Sequence, residues 1–138
     1  MELGLVGLGK MGNNMRERMR RAGLTVIGYD RNPEVSDTAS LAELVSKLTG
    51  PRVVWVMLPI QVVGPVIEEL KGLLSAGDLV IDGGNSKWSN DGPHAQSLAE
   101  KGIRFVDVGV SGGVWGLQNG YALMVGGEDA DVALAQPI

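Results

Sequence analysis

The chain has 138 residues, 44% of them hydrophobic and 20% charged, with a net charge of −4. That length supports one domain with a real core, and the acidic balance argues against nucleic acid as a partner. Without cysteine there is no disulfide framework, thiolate metal site or thiol nucleophile, and the single histidine, His94, makes a His-based metal site or a Ser–His pair improbable; no metal is expected.

No apolar run reaches the ~18 residues of a membrane span, so no membrane partner is expected. The first strand begins almost at Met1, which leaves no room for a signal peptide and points to the cytoplasm. Glycines number 21, roughly twice the usual share, and most fall at expected strand ends, as in a sheet whose loops approach a ligand closely.

Leu3–Val6 is a short apolar run suited to a buried strand, and Gly7-Leu8-Gly9-Lys10-Met11-Gly12 follows as a G-x-G-x-x-G loop. A helix then runs to about Ala22, Gly23 stops it, Thr25–Tyr29 forms a second strand, and Asp30 closes the unit. Each part has a job in holding a dinucleotide. Gly7 permits the turn out of the strand, Gly9 lets backbone approach a pyrophosphate, and Gly12 lets the helix lie against the sheet. The helix N-terminus offers unpaired N–H groups and a positive dipole end, and the Asp30 carboxylate can accept from ribose hydroxyls. Lys10 lies inside the loop and can help neutralise phosphate, or be a solvated lysine. Glycines serving only a tight strand-to-helix turn are the alternative.

Met11, Met15 and Met19 make one apolar stripe on this helix, best explained by core packing. Arg16, Arg18, Arg20 and Arg21 cluster at its end and read as a solvated face complementing the negative helix terminus. Arg31–Glu34 is a loop by composition. Ser40-Leu41-Ala42-Glu43 has capping-box spacing and opens a helix to about Leu48. Arg52–Leu58 is a nearly continuous apolar run with β-branched residues, the pattern of a parallel strand buried on both faces. Pro59 ends it, and Ile60–Leu74 returns to helical spacing. Leu79–Asp82 is the next strand, followed by a Gly83–Ser86 loop and a polar helix from about Lys87 to Lys101 that exposes His94. Ile103–Asp107 is a strand, Gly109–Gly113 a loop, Tyr121–Val125 a last strand, and a helix begins at Glu128.

Strands alternate with helices throughout, the pattern of a Rossmann-like α/β fold: a doubly wound, mostly parallel sheet with helices on both faces. Ligands then bind beyond the carboxyl ends of the strands. Gly7–Gly12, Asp30, Met57–Pro59, Gly83–Ser86 and Ser111–Gly113 all follow strands and are expected to converge on one crevice.

Asp82-Gly83-Gly84-Asn85-Ser86 and Gly109-Val110-Ser111-Gly112-Gly113, together with GLGKMG, resemble the decarboxylating 6-phosphogluconate dehydrogenases; VWGLQNGYALMVGG (Val114–Gly127) is most similar to their short-chain, often NAD-preferring bacterial branch. The resemblance implies that residues 1–138 form the NAD(P)-binding domain. Dinucleotide contacts are implied for Gly7, Leu8, Gly9, Lys10, Met11, Gly12, Asp30, Arg31, Asn32, Met57, Leu58, Pro59 and Asn85, and substrate contacts for Asn85, Ser111, Gly112 and Gly113. The types suit the chemistry: an amide both donates and accepts, and a serine beside two glycine N–H groups can surround a carboxylate. The implied partner is 6-phosphogluconate, oxidised and decarboxylated to ribulose 5-phosphate within the pentose phosphate pathway of gluconate metabolism, by a full-length protein that is a homo-oligomer. The general-base lysine and acid glutamate of that chemistry have no counterpart here and are expected on a downstream helical domain. The cofactor expected is NAD rather than NADP, because Asp30-Arg31-Asn32 stands where NADP-preferring members carry Asn-Arg-Thr. Two alternatives remain at this point: another β-hydroxyacid dehydrogenase of the 3-hydroxyisobutyrate type, which DGGNS disfavours, and a non-catalytic nucleotide-sensing module.

Overall fold

A computed structural model describes residues 1–85 and 91–138. The apolar runs found in the sequence become strands of one sheet: β1 (Glu2–Val6), β2 (Thr25–Tyr29), β3 (Val53–Val56), β4 (Leu79–Asp82), β5 (Arg104–Ser111) and β6 (Ala122–Gly127), in the order β2-β1-β3-β4-β5-β6. The first five are parallel and β6 runs antiparallel to β5. The fold is the expected Rossmann-like one.

The continuous apolar character of β3 and β4 has a direct cause. Val54, Val56 and Val80 face one layer of helices while Val53, Trp55, Leu79 and Ile81 face the other. On the first side lie α2 (Leu41–Lys47), α3 (Ile60–Leu73) and α4 (Asp91–Ala99), contributing Leu44, Ile67, Leu70 and Leu98 to the core. On the second lie α1 (Lys10–Arg21) and α6 (Asp129–Ala135), contributing Met15 and, at its edge, Val132. Of the methionine stripe of α1, Met15 is buried in the core and Met19 packs beside it, while Met11 is half-buried. No helix among the described residues is long and apolar enough to cross a membrane.

Capping at α2 follows the sequence signal with one change. Ser40 Oγ accepts from Glu43 N–H at 3.0 Å, but Glu43 Oε2 reaches past the cap residue to accept from Ala39 N–H at 2.7 Å.

Several boundaries differ from the sequence reading. β3 is shorter than Arg52–Leu58 because its last ladder bond is Met57 N–H to Val6 carbonyl, after which the chain turns into Pro59 and α3. β5 continues through the expected Gly109–Gly113 loop as far as Ser111, since β6 returns beside it and pairs Gly109 with Met124, Val110 with Leu123 and Ser111 with Ala122. Glycine is a poor strand former alone, so only the returning strand reveals this extension. Helix α4 is described from Asp91; the expected start near Lys87, with Ser86, lies outside the described residues. His94 is half-buried rather than exposed, and its ring lies against α3 near Gly64.

The arginine cluster is exposed at Arg18, Arg20 and Arg21 in the last turn of α1, as expected of a solvated face, but Arg16 is half-buried and the side chains are also paired. Arg16 and Arg20 both reach Asp37 Oδ2, at 3.1 and 2.6 Å, Arg20 also donates to the Val26 carbonyl, and Arg18 donates to the Leu117 carbonyl at 3.2 Å. Only Arg21 stays on its own helix, paired with Glu17. Charge at a helix end was legible, whereas the partners came from distant loops.

Candidate functional site

Because β1 to β5 are parallel, the loops after Val6, Tyr29, Val56, Asp82 and Ser111 all open at one edge of the sheet. Sequence order reverses there between β1 and β3, and a crevice of about 470 Å³ lies at that switch point. Of the candidate residues, Gly7, Gly9, Asp30, Arg31, Met57, Leu58 and Pro59 line it. Gln61, Val62, Pro65 and Val66 of α3 complete the wall; in the sequence this helix carried only a core signal, although its start directly after Pro59 aimed it at the site.

The glycine loop fits a diphosphate. Gly7 has φ +93°, and a side chain there would enter the Met57 carbonyl; one at Gly12 would enter the Gly7 carbonyl. Gly9, by contrast, faces open space. It is the N-cap of α1, with no side chain capping the helix and no acid in its first turn. Uncapped N–H groups and a positive dipole end therefore face the solvent side of the loop. Lys10 is exposed, Met11 is half-buried, and the Leu8 side chain is buried.

Asp30 is held by backbone donors. Its Oδ2 accepts from Leu8 N–H at 2.7 Å and its Oδ1 from Asn32 N–H at 2.8 Å. One carboxylate thus ties the glycine loop to the β2 loop. Each oxygen keeps a second lone pair for a ribose hydroxyl. Asn32 itself is exposed, and its side-chain oxygen accepts from Glu34 N–H. The same loop is braced from behind by Asp37, whose Oδ2 also accepts from Gly28 N–H at 2.7 Å. Burial pushes the Asp37 carboxyl up, but the Gly28 N–H and the charges of Arg16 and Arg20 outweigh it and hold it below the usual aspartate range.

The DGGNS segment is shaped by its first residue. Asp82 is fully buried, and its Oδ1 accepts from Gly84 N–H at 2.9 Å. Gly84 lies so close to the Leu58 carbonyl that no side chain fits. Asn85 therefore leaves from a turn fixed directly on the Met57–Pro59 wall; it is exposed and does not line the crevice. On the other side of that wall Trp55 Nε1 donates to Met57 Sδ at 3.2 Å.

Ser111–Gly113 stands apart from the crevice. Asp107 is the β5 partner of Asp82, and four further residues carry the strand about 13 Å beyond that level before Ser111. Ser111, Gly112 and Gly113 are exposed there, with φ +149° at Gly112. The expected convergence on one crevice thus holds for the glycine, Asp30 and Met57 loops; Gly83–Asn85 do not line it, although Gly84 packs on Leu58, which does, and Ser86 lies outside the described residues. Ser111–Gly113 forms a separate flank at the same sheet edge.

Residues 2–138 match the family model of the NAD binding domain of 6-phosphogluconate dehydrogenase. The chain belongs to this family. The decarboxylating 6-phosphogluconate dehydrogenase of Drosophila melanogaster is 39% identical over 152 residues, which span 99% of this chain and 32% of that protein. Bacillus subtilis YqeC is 36% identical over 147 residues, covering 100% of this chain and 50% of the relative. The chain therefore spans half the length or less of these relatives. Among solved structures, Plasmodium falciparum 6-phosphogluconate dehydrogenase superposes with a TM-score of 0.92 at 25% identity over 99% of this chain and 33% of that one. The 3-hydroxyisobutyrate dehydrogenase of Mycobacterium tuberculosis superposes with a TM-score of 0.87 at 26% identity, over 99% of this chain and 50% of that one. An NAD(P)-binding domain of an oxidoreductase is the common content of these matches.

Proposed function

We propose that this chain is the cofactor half of an enzyme that oxidises and decarboxylates 6-phosphogluconate to ribulose 5-phosphate, with NAD as the preferred hydride acceptor. The observation that carries the reading is the Asp82–Gly84 turn packed on the Met57–Pro59 wall. A bifunctional amide, Asn85, follows that turn directly beside the crevice wall, and a nucleotide-sensing module has no use for one there. When bound, the nicotinamide accepts a hydride from the substrate. This chain's residues do the rest of the positioning: the Gly7–Gly12 loop and α1 N-terminus hold the diphosphate, Asp30 holds the adenosine ribose, and Asn85 and Ser111–Gly113 orient the sugar acid. The general base and acid belong to a helical domain that relatives of two to three times this length have room for. Residues 1–138 then bind dinucleotide without turnover.

A 3-hydroxyisobutyrate-type activity is the second reading, favoured by the superposition on the mycobacterial enzyme. Steady-state assays of the enzyme carrying this domain, with both acids, separate the two. Activity on 6-phosphogluconate only, and a fall in turnover by orders of magnitude in Asn85→Ala through lost hydride-transfer geometry, are expected. Equal activity on both acids, or an Asn85 variant as fast as the parent, overturns the proposal.

A further inference from the structure

The loop after β5 is long, glycine-rich and exposed, yet its path is defined. From Gly113 it makes a single 3₁₀ turn (Gly113–Trp115) and a one-turn helix, α5 (Gly116–Asn119), before β6 begins. What fills the inside of this loop is one side chain. The ring of Tyr121 occupies the space a side chain at Gly116 would take, and a Cβ at Gly112 would lie 2.9 Å from Tyr121 Cδ1. The other face of the ring joins the sheet core on the α1 side, bordering a small cleft with Met15 and Met19. The hydroxyl lies beside Asn14 but meets no hydrogen-bond geometry. Arg18, one turn along α1, donates to the Leu117 carbonyl from outside the loop.

We propose that Tyr121 is a positioning residue for the Ser111–Gly113 flank: its ring, and not its hydroxyl, props the loop against α1 in the shape that receives the substrate. The inference rests on the reading of that flank as substrate-binding. The spacing explains two glycines at once. Gly116 has no side chain because the ring is there, and Gly112, at φ +149°, has no room for one between the ring and the Gly120 carbonyl, 3.1 Å from its would-be Cβ. Since α1 also offers its N-terminus to the dinucleotide, one helix carries both flanks of the site. Tyr121 contacts neither ligand and acts through the loop.

Two measurements on the 1–138 chain test this, both by NMR at residue resolution. The first uses no ligand: hydrogen exchange at the amides of Gly116 and Gly120, which donate to the Gly113 and Gly116 carbonyls. Tyr121→Ala is expected to accelerate it at least tenfold, while Tyr121→Phe stays within twofold of the parent. Arg18→Ala, a surface change with little risk to folding, is expected to give a smaller rise confined to Leu117–Gly120. The second titrates 6-phosphogluconate into NAD-saturated chain and follows Gly112 and Gly113. Tyr121→Ala is expected to weaken the response at least tenfold and Tyr121→Phe not at all, with NAD affinity within twofold throughout. If Tyr121→Ala loses NAD binding, Tyr121→Leu replaces it, keeping apolar bulk without the flat ring, with the same expectations. Unchanged exchange in the ring-deletion variant, or a Phe variant as damaged as Ala, overturns the inference. Accelerated exchange in a chain whose parent ignores 6-phosphogluconate overturns the substrate reading of the flank and leaves Tyr121 as the prop of the loop.

Discussion

The two ends of the sheet are finished to different degrees. Around β1 and β3 nearly every residue is buried, and the loops that leave them lock together: Gly12 on the Gly7 carbonyl, Gly7 on that of Met57, Gly84 on that of Leu58. At the other end β6 is exposed along its whole length, with Leu123 at 41%, Met124 at 74% and Val125 at 45%, and Trp115 nearby at 65%. No charge or proline guards that edge, the devices with which exposed strands usually avoid pairing. The β1–β3 end is closed by contacts among its own loops. The β6 end presents apolar surface of the kind that marks contact with more protein, consistent with relatives much longer than this chain.

Glycine substitution breaks this contrast most sharply. Gly12→Val drives a side chain into the Gly7 carbonyl, whereas Gly126 faces open space. Gly12→Val is expected to lower NAD affinity more than about 100-fold, some 2.7 kcal/mol, or to prevent folding, while Gly126→Ala leaves affinity within twofold. Isothermal titration and a thermal melt read both. A tolerated valine at 12 means the glycine loop is looser than its contacts require.

The β6 end is expected to drive self-association of the 1–138 chain, with Met124→Lys weakening it about tenfold because a charge on the strand opposes apolar pairing. Sedimentation velocity across concentration measures this. A parent chain that stays monomeric at high concentration removes the contrast between the ends.

Much of the cofactor end was legible because its signals are local. The G-x-G-x-x-G loop and the capping box each sit within a few residues of what they act on, and the acid ending β2 is marked by its spacing from the glycines although it reaches back to Leu8 N–H. The β6 end was less so, since β5 runs through Gly109 only by virtue of a partner more than ten residues away, and Tyr121 gains its place from Gly112 and Gly116 packing around it. The arginines of α1 show the same limit: Arg16 and Arg20 meet at Asp37, a residue with no motif around it.

A finer probe of the cofactor end is Asp30→Asn. The carboxylate accepts from two backbone N–H groups, and on the proposed reading it accepts from ribose hydroxyls and opposes the 2′-phosphate of NADP, while Arg31, lining the same crevice, favours it. The parent is expected to prefer NAD by at least about tenfold, ~1.4 kcal/mol. The amide retains one acceptor and turns a donor toward a donor, so the variant is expected to lose that preference and about 1–3 kcal/mol of stability. Paired NAD and NADP titrations at one ionic strength, with urea unfolding, read both effects. Tighter NADP binding by the parent overturns the cofactor assignment, and an unchanged ratio in the variant removes Asp30 as its cause.

The smallest expected effect separates the two ends by sign. Asp37, behind the cofactor loop, is held below the ordinary aspartate value. Its folded form releases its proton more readily than the unfolded chain, so its contribution to stability is present above about pH 4 and is lost as pH falls through the lowered value. Asp107, on β5, is shifted the other way: burial pushes it up, and the neighbouring Asp82 carboxylate adds to this while the Val108 N–H opposes it. The folded state then holds the extra proton. Asp107 therefore costs stability as pH rises from about 4 through its raised value and returns it on acidification. Urea unfolding from pH 3 to 7 of the parent, Asp37→Asn and Asp107→Asn checks both signs. Relative to the parent, Asp37→Asn is expected to be most destabilised near neutrality and to converge with it in acid. Asp107→Asn is expected to flatten the loss of stability on the alkaline side of its window. A carboxyl-carbon NMR titration of Asp107 in Asp82→Asn isolates the charge contribution, where a lower value than in the parent is expected because one repelling carboxylate is gone while burial remains. An Asp107 titration unmoved by that change would leave burial as the whole cause.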